Sequence, residues 1–273
     1  MARRVRLLTL NLWGIEGDWA ARRSVLKAGL RDLHPDAVVF QESIKTADYD
    51  QAKDLLSAEY TVIHQEGRSP DGTGNTIACC LPLGEVRQCF LQVTPRVDSA
   101  HQWIGSVAAV EVRSPNPIGD FLLVHLKTSW QPDYDREREL QAVAAARFIE
   151  EALQGRDIPV VLAGDLDAGL DSGSIRFWKG QQSIEGVGVR YHDAWEGTHG
   201  QEGDTFTPRN PLVATGDMSQ ETGRRIDYIL VRCDLDGPTL KVANCFLAFD
   251  EPVEGVWATN HFGVVADLHL PTP

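Results

Sequence analysis

Val160-Val-Leu-Ala-Gly-Asp-Leu-Asp167 is the stretch that decides the fold. Its apolar run is too short for a helix and reads as a buried strand over 159–163. The run then stops on a glycine and two acids, Asp165 and Asp167. Strand ends in α/β folds are where binding crevices form, so this break matters more than the run itself.

The same pattern recurs along the chain. Leu7-Leu-Thr-Leu runs into Asn11, Val38-Val-Phe-Gln into Glu42, and Phe121-Leu-Leu-Val into His125. A polar residue at a strand end is usually a turn former or a cap. Four such interruptions in separate apolar runs are harder to assign to turns. Arg224-Arg-Ile-Asp-Tyr-Ile-Leu adds Asp227 inside a fifth run, and Thr259-Asn-His places His261 before a sixth. A carboxylate within an apolar strand costs several kcal/mol unless it is paired. An Asp227–His261 pair would satisfy the acid and orient the imidazole; as a purely structural pair it would carry no chemistry.

Around these breaks the chain alternates short strands with helices. Strands are expected at 5–11, 37–41, 60–64, 75–80, 85–93, 104–112 and 121–126, and again at 226–232, 240–249 and 263–270. Three helices are expected. One spans 20–33, with Asp18 as its cap and Pro35 beyond its end. The others span 49–57 and 135–153. Ser-Pro-Asp-Gly at 69–72 and Ser-Pro-Asn-Pro at 114–117 punctuate the middle as turns. Residues 168–222 lack periodicity, and loops of that length in a compact domain are usually functional. Strands with helices at intervals imply an α/β sandwich with helices outside the sheets.

Composition sets the bounds. The chain has 273 residues, and β-rich two-layer folds of this length often form one unit, so a single domain over 1–273 is expected. A net charge of −13 keeps it soluble and argues against a protein that coats duplex nucleic acid. Five cysteines without C-x-x-C spacing read as reduced, buried thiols in a reducing compartment. The basic start, interrupted by Thr9 and Asn11, does not read as a signal peptide. No run approaches the ~18 apolar residues of a membrane span. The expectation is a cytoplasmic protein with no obligate protein partner.

Taken together, these segments resemble the endonuclease/exonuclease/phosphatase (DNase I-like) superfamily. The matching motifs are Leu8-Thr-Leu-Asn-Leu-Trp-Gly, Phe40-Gln-Glu, Val124-His-Leu, Gly164-Asp-Leu-Asp, Arg225-Ile-Asp-Tyr-Ile and Asn260-His-Phe-Gly-Val, in the family's order. The resemblance implies a four-layer α/β/β/α sandwich of two packed mixed sheets, with the site at one end. It implies a Mg²⁺- or Mn²⁺-dependent hydrolase of phosphate esters, working by in-line attack of water. Glu42 would hold the metal with Asn11 beside it and Asn260 nearby. Asp165 would align or deprotonate the water, His261 oriented by Asp227 would contact the phosphoryl group or act as acid/base, and His125 would donate to the developing charge.

Two positions depart from the family pattern. Asp167 stands where a neutral amide would help hold phosphate, and Asn260 where a carboxylate is usual. One reading is that Asp167 partly replaces the acid missing at 260; the rival is weakened or altered catalysis. Lys127, Trp130, Arg209 and Arg225 are the candidates for gripping substrate. The acidic chain favours a small phosphorylated metabolite or phosphodiester, with a nuclease close behind. A binding module that kept the fold and lost hydrolysis is the alternative of another class.

Overall fold

The computed structural model describes residues 4–97, 104–200, 203–216 and 218–270. The chain runs β1 (Val5–Asn11), α1 (Trp19–Leu33), β2 (Ala37–Ile44), α2 (Gln51–Leu55), β3 (Thr61–His64), β4 (Thr73–Cys79), β5 (Leu83–Phe90), β6 (Ser106–Arg113) and β7 (Asp120–Lys127). It continues α3 (Asp135–Leu153), β8 (Val160–Asp165), α4 (Gly173–Trp178), β9 (Tyr191–Asp193), α5 (Glu196–His199), α6 (Pro211–Ala214), β10 (Asp227–Arg232), β11 (Lys241–Ala248) and β12 (Gly263–His269).

The strands form two six-stranded sheets, ordered β11-β12-β1-β2-β4-β3 and β5-β6-β7-β8-β10-β9. Each contains one parallel pair, β1 with β2 and β7 with β8. Parallel neighbours need a crossover, and α1 and α3 supply the two. Asp18 caps α1 by accepting from the Ala21 amide, and His34 ends it in the left-handed conformation.

Alternation along each strand builds the layers. Leu8 and Leu10 of β1 pack with Leu26 and Leu30 of α1 in one outer core. Leu7 of β1 and Val39 of β2 face Leu123, Val161 and Ile229 of the second sheet in the central core. Val124 and Leu162 turn outward onto Val143 and Ile149 of α3. The result is the expected four-layer α/β/β/α sandwich. Because side chains alternate with period two, the same parity carries Asn11, Gln41, His125, Lys127, Asp165 and Asp227 onto the inner faces. All six lie at one end of the sandwich, since Asp227 pairs with Asp165 in register at the start of the antiparallel β10.

Gly164 is fixed by the neighbouring strand. A Cβ there would lie 1.8 Å from the Leu126 carbonyl oxygen of β7, a backbone atom that cannot yield. Gly164→Ala is therefore expected to destabilise the protein by at least about 3 kcal/mol, read as a lowered denaturation midpoint. An unchanged midpoint would mean the two strands do not sit this close.

Several expectations change. The helix expected at 49–57 is only the single turn and a half of α2. The irregular 168–222 stretch contains four short elements, α4, β9, α5 and α6. The five cysteines are free, but only Cys79 and Cys245 are buried, and Cys89 is exposed. Cys89 lies on β5, the edge strand of its sheet. Among the described residues no helix is long and apolar enough to cross a membrane.

Candidate functional site

At this end of the sandwich lies a cleft of about 410 Å³ bordered by Trp13, Glu42, Asp165, Asp167, Arg224, Asn260 and His261. Asn11 is its hub. The amide nitrogen donates to Glu42 Oε1 at 2.9 Å and to Asp165 Oδ2 at 3.0 Å, and its oxygen accepts from the Trp13 amide. This links the two sheets across the top of the central core. Glu42 reaches it from an irregular step in β2, where the register with β4 shifts and Glu42 itself takes a φ of 54°. The bulge turns Glu42 out of the strand's alternation and into the cleft.

Asp227 and His261 are paired, with His261 Nδ1 3.0 Å from Asp227 Oδ2. The ring also packs against Phe206, centroids 4.7 Å apart. Burial alone would push His261 down, but the Asp227 carboxylate outweighs it and lifts the imidazole to about 9. The ring is thus an imidazolium at neutral pH, with Nε2 free of the pair. Burial pushes Asp227 up in turn. Its second oxygen, Oδ1, is buried and has no hydrogen-bond partner among the described residues.

Lys127 lies between the two acids of the deciding stretch. Its ammonium donates to Asp165 Oδ2 at 2.6 Å and also to Asp167 Oδ2. Burial works to raise Asp165, yet the charges of Lys127 and His261 hold it below the usual carboxylate range. Asp167 goes the other way, pushed up to about 7 by burial and by the charge of Asp165. Asp167 adopts a φ of 48°, and its amide donates to Asp165 Oδ1 at 3.1 Å. Asp and Asn are the residues that tolerate this backbone, which makes the exchange of an amide for an acid here sterically neutral.

The sequence-based assignments divide accordingly. Asn11, Glu42, Asp165, Asp167, Asp227, Asn260 and His261 come together. Lys127 joins them as the partner of two acids rather than as a free cation, its ammonium donating to both Asp165 and Asp167. Trp130 stands at the mouth, 44% exposed. Three residues are placed elsewhere. His125 is buried behind the cleft with Nε2 2.8 Å from Gln41 Nε2. Burial and the nearby Lys127 push it down to about 3, so it is neutral, and Nε2 accepts from Gln41 instead of donating to a reacting group. Arg225 is 3% exposed, with Nη1 2.7 Å from Asp193 Oδ2 and the guanidinium over Tyr228. Its charge neutralises a buried acid and is closed to substrate. Arg209 lies over the Phe262 ring and near Asp250, outside the cleft lining.

Sequence reasoning missed Arg224, Trp13 and Gln41. Arg224 lines the cleft and is held by Glu221 at 2.7 Å. Nothing in an Arg-Arg pair tells which member turns inward. Gln41 was within reach, since it shares the inward parity of Val39 and lies next to Glu42.

The donor set suits a hard divalent ion. Glu42 Oε1 and Asp165 Oδ2 both accept from the Asn11 amide nitrogen, which holds two carboxylate oxygens close together at the cleft. Asp165, Asp227 and His261 also offer ligand atoms within 4.8 Å of one another. Carboxylate and amide oxygens are what Mg²⁺ or Mn²⁺ selects. The His261 nitrogen facing Asp227 is already engaged and the Asn11 oxygen accepts from the Trp13 amide, so the carboxylate oxygens at Glu42, with Asn11 beside them, are the better seat.

A two-sheet sandwich that gathers carboxylates, an amide and a paired imidazole at its strand ends defines a class built for chemistry on phosphate esters. The chain belongs to the endonuclease/exonuclease/phosphatase family, whose model matches residues 8–237. A search of the curated proteins finds no match. Among solved structures, D. rerio TDP2 complexed with single-strand DNA product superposes with a TM-score of 0.74 at 18% identity, covering 97% of this chain and 99% of that one. The human Nocturnin catalytic domain with bound sulfate gives 0.72 at 15% identity, covering 99% and 96%. An endonuclease/exonuclease/phosphatase from Beutenbergia cavernae gives 0.68 at 21% identity, covering 98% and 72%. At these identities the likeness speaks for the fold.

Proposed function

We propose that this protein is a divalent-metal-dependent hydrolase of phosphate esters that uses water as nucleophile and takes a small phosphorylated molecule or phosphodiester. The observation that carries the reading is the convergence of Glu42, Asn11 and Asp165 beside the Asp227–His261 pair in one cleft. Glu42 would hold Mg²⁺ or Mn²⁺ with Asn11 beside it, and Asn260 also lines the cleft. A divalent ion there supplies polarisation of the phosphoryl oxygen and stabilisation of the leaving oxygen. Asp165, kept ionised, anchors the attacking water as a hydrogen-bond acceptor. The His261 imidazolium donates to the phosphoryl or leaving oxygen, and Asp227 holds the ring for that task.

The cleft lining supports a compact substrate. Phe206, Leu212, Val213, Met218 and Ile226 form an apolar wall, and Trp13 and Trp130 flank the mouth. Besides the His261 imidazolium, Arg224 is the cation on this lining among the described residues, and Glu221 already pairs with it. A polyanion finds few partners here, in keeping with the charge of −13. A nuclease is the second reading, favoured by the shared fold of a TDP2 carrying a single-strand DNA product.

The test is hydrolysis with Mg²⁺ or Mn²⁺, and with chelator, over a generic diester, a monoester, single-stranded and duplex DNA, RNA and a sphingolipid. Small esters should turn over fastest and chelator should abolish turnover. Preference for single-stranded DNA or RNA would establish the nuclease. Metal binding without turnover on any substrate would make the protein a binding module or an enzyme of altered chemistry.

A further inference from the structure

We infer that Lys127 is a resident cation of this site: its ammonium, held between Asp165 and Asp167, fills the place a second divalent ion would need, and Asp167 is there to position it. The inference rests on the metal-dependent reading above. It concerns how many ions the site accepts and which residue sets that number.

Lys127 is 4% exposed and Asp165 fully buried. The ammonium donates to Asp165 Oδ2 at 2.6 Å and to Asp167 Oδ2. Two carboxylates this close and this poorly hydrated need a cation between them. In two-metal sites of phosphoryl-transfer enzymes a second ion helps clamp the attacking and leaving oxygens. Here the place between the two acids is taken by a tethered side chain that cannot dissociate. An ammonium has three protons to donate, and among the described residues Lys127 uses two. It also borders a second groove of about 450 Å³, with Arg68, Thr73, Asn75 and Thr128, whose lining includes no carboxylate. Lys127 therefore stands where the acid-rich cleft meets an acid-free one, with a proton left for an anionic group of the substrate.

Asp167 is tied to Lys127 by their ion pair. A neutral amide at 167 would leave Lys127 one carboxylate, and a neutral side chain at 127 would leave two acids facing each other, open to a metal. Asp167 acts through Lys127 and is a positioning residue.

The experiment is Mn²⁺ titration of the intact protein by calorimetry, with bound Mn²⁺ counted by electron paramagnetic resonance. The wild type should bind one ion. Lys127→Gln leaves a polar side chain one atom shorter and removes the charge, and should bind two. Lys127→Arg should stay at one, and Lys127→Gln with Asp167→Asn should return to one. If Lys127→Gln unfolds, as thermal melting would reveal, Lys127→Met serves for the same count. One ion of unchanged affinity in the charge-neutral variants, or two in the wild type, would overturn the inference while leaving the metal-dependent reading intact. Absence of Mn²⁺ binding in every protein would overturn both.

Discussion

Glu42→Gln is expected to lower metal-dependent phosphate-ester turnover by about three orders of magnitude, close to 4 kcal/mol of transition-state stabilisation. Gln is nearly isosteric and retains an oxygen to accept from the Asn11 amide nitrogen, so the 2.9 Å contact need not be lost. What disappears is one negative charge at the point where Glu42 and Asp165 converge. Mn²⁺ affinity should fall with it, while the melting temperature of the metal-free protein stays within a few degrees. The parallel drop in affinity and rate separates this from general damage. If Glu42→Gln hydrolyses the preferred ester within tenfold of wild type, Glu42 does not hold the metal.

Asp227→Asn should cost turnover about 10²- to 10⁴-fold through the imidazole alone. The carboxylate is what lifts His261 to about 9 against its burial. Without that charge, burial prevails and the ring loses its proton near neutral pH. The metal-free protein offers a second readout. A group whose pKa is raised on folding contributes stability that is fully present below its unfolded value of about 6.5 and lost as pH rises through the folded one. Chelator-treated wild type should therefore lose stability between about pH 6.5 and 9, and Asp227→Asn should lose that slope. Nuclear magnetic resonance titration of the His261 ring decides the matter: an apparent pKa still near 9 in the variant would remove Asp227 as its cause.

Much of the frame was legible from periodicity. The run into Asp165 and the runs into Asn11 and Glu42 became β8, β1 and β2, and the helix at 135–153 has those bounds. Alternation then predicts which polar residues face inward. It does not say how far along the inner face each one lies. His125 and Lys127 share a parity, yet two residues of strand separate a buried acceptor of Gln41 from the bridge between Asp165 and Asp167. The ion pair that removes Arg225 from the cleft depends on Asp193, in the stretch where elements of three to six residues leave no periodic trace. The role of Asp167 was hidden for a similar reason: its partner comes from another strand, and a motif describes only its own.

The placement of β1 has a consequence for how the chain acquires its form. β1 lies between β2 and β12, and Val5 pairs with Leu268 across almost the whole length of the sequence. During synthesis the first strand emerges early but must wait for the last one to complete its second edge. Until then an apolar strand with unpaired amides is available to any neighbouring chain, the circumstance in which nascent proteins aggregate or recruit chaperones. Asn11 and His261 sit on opposite sides of that late seam, so a translating ribosome would carry no partly active enzyme. Competence arrives in one step, with the closing strand.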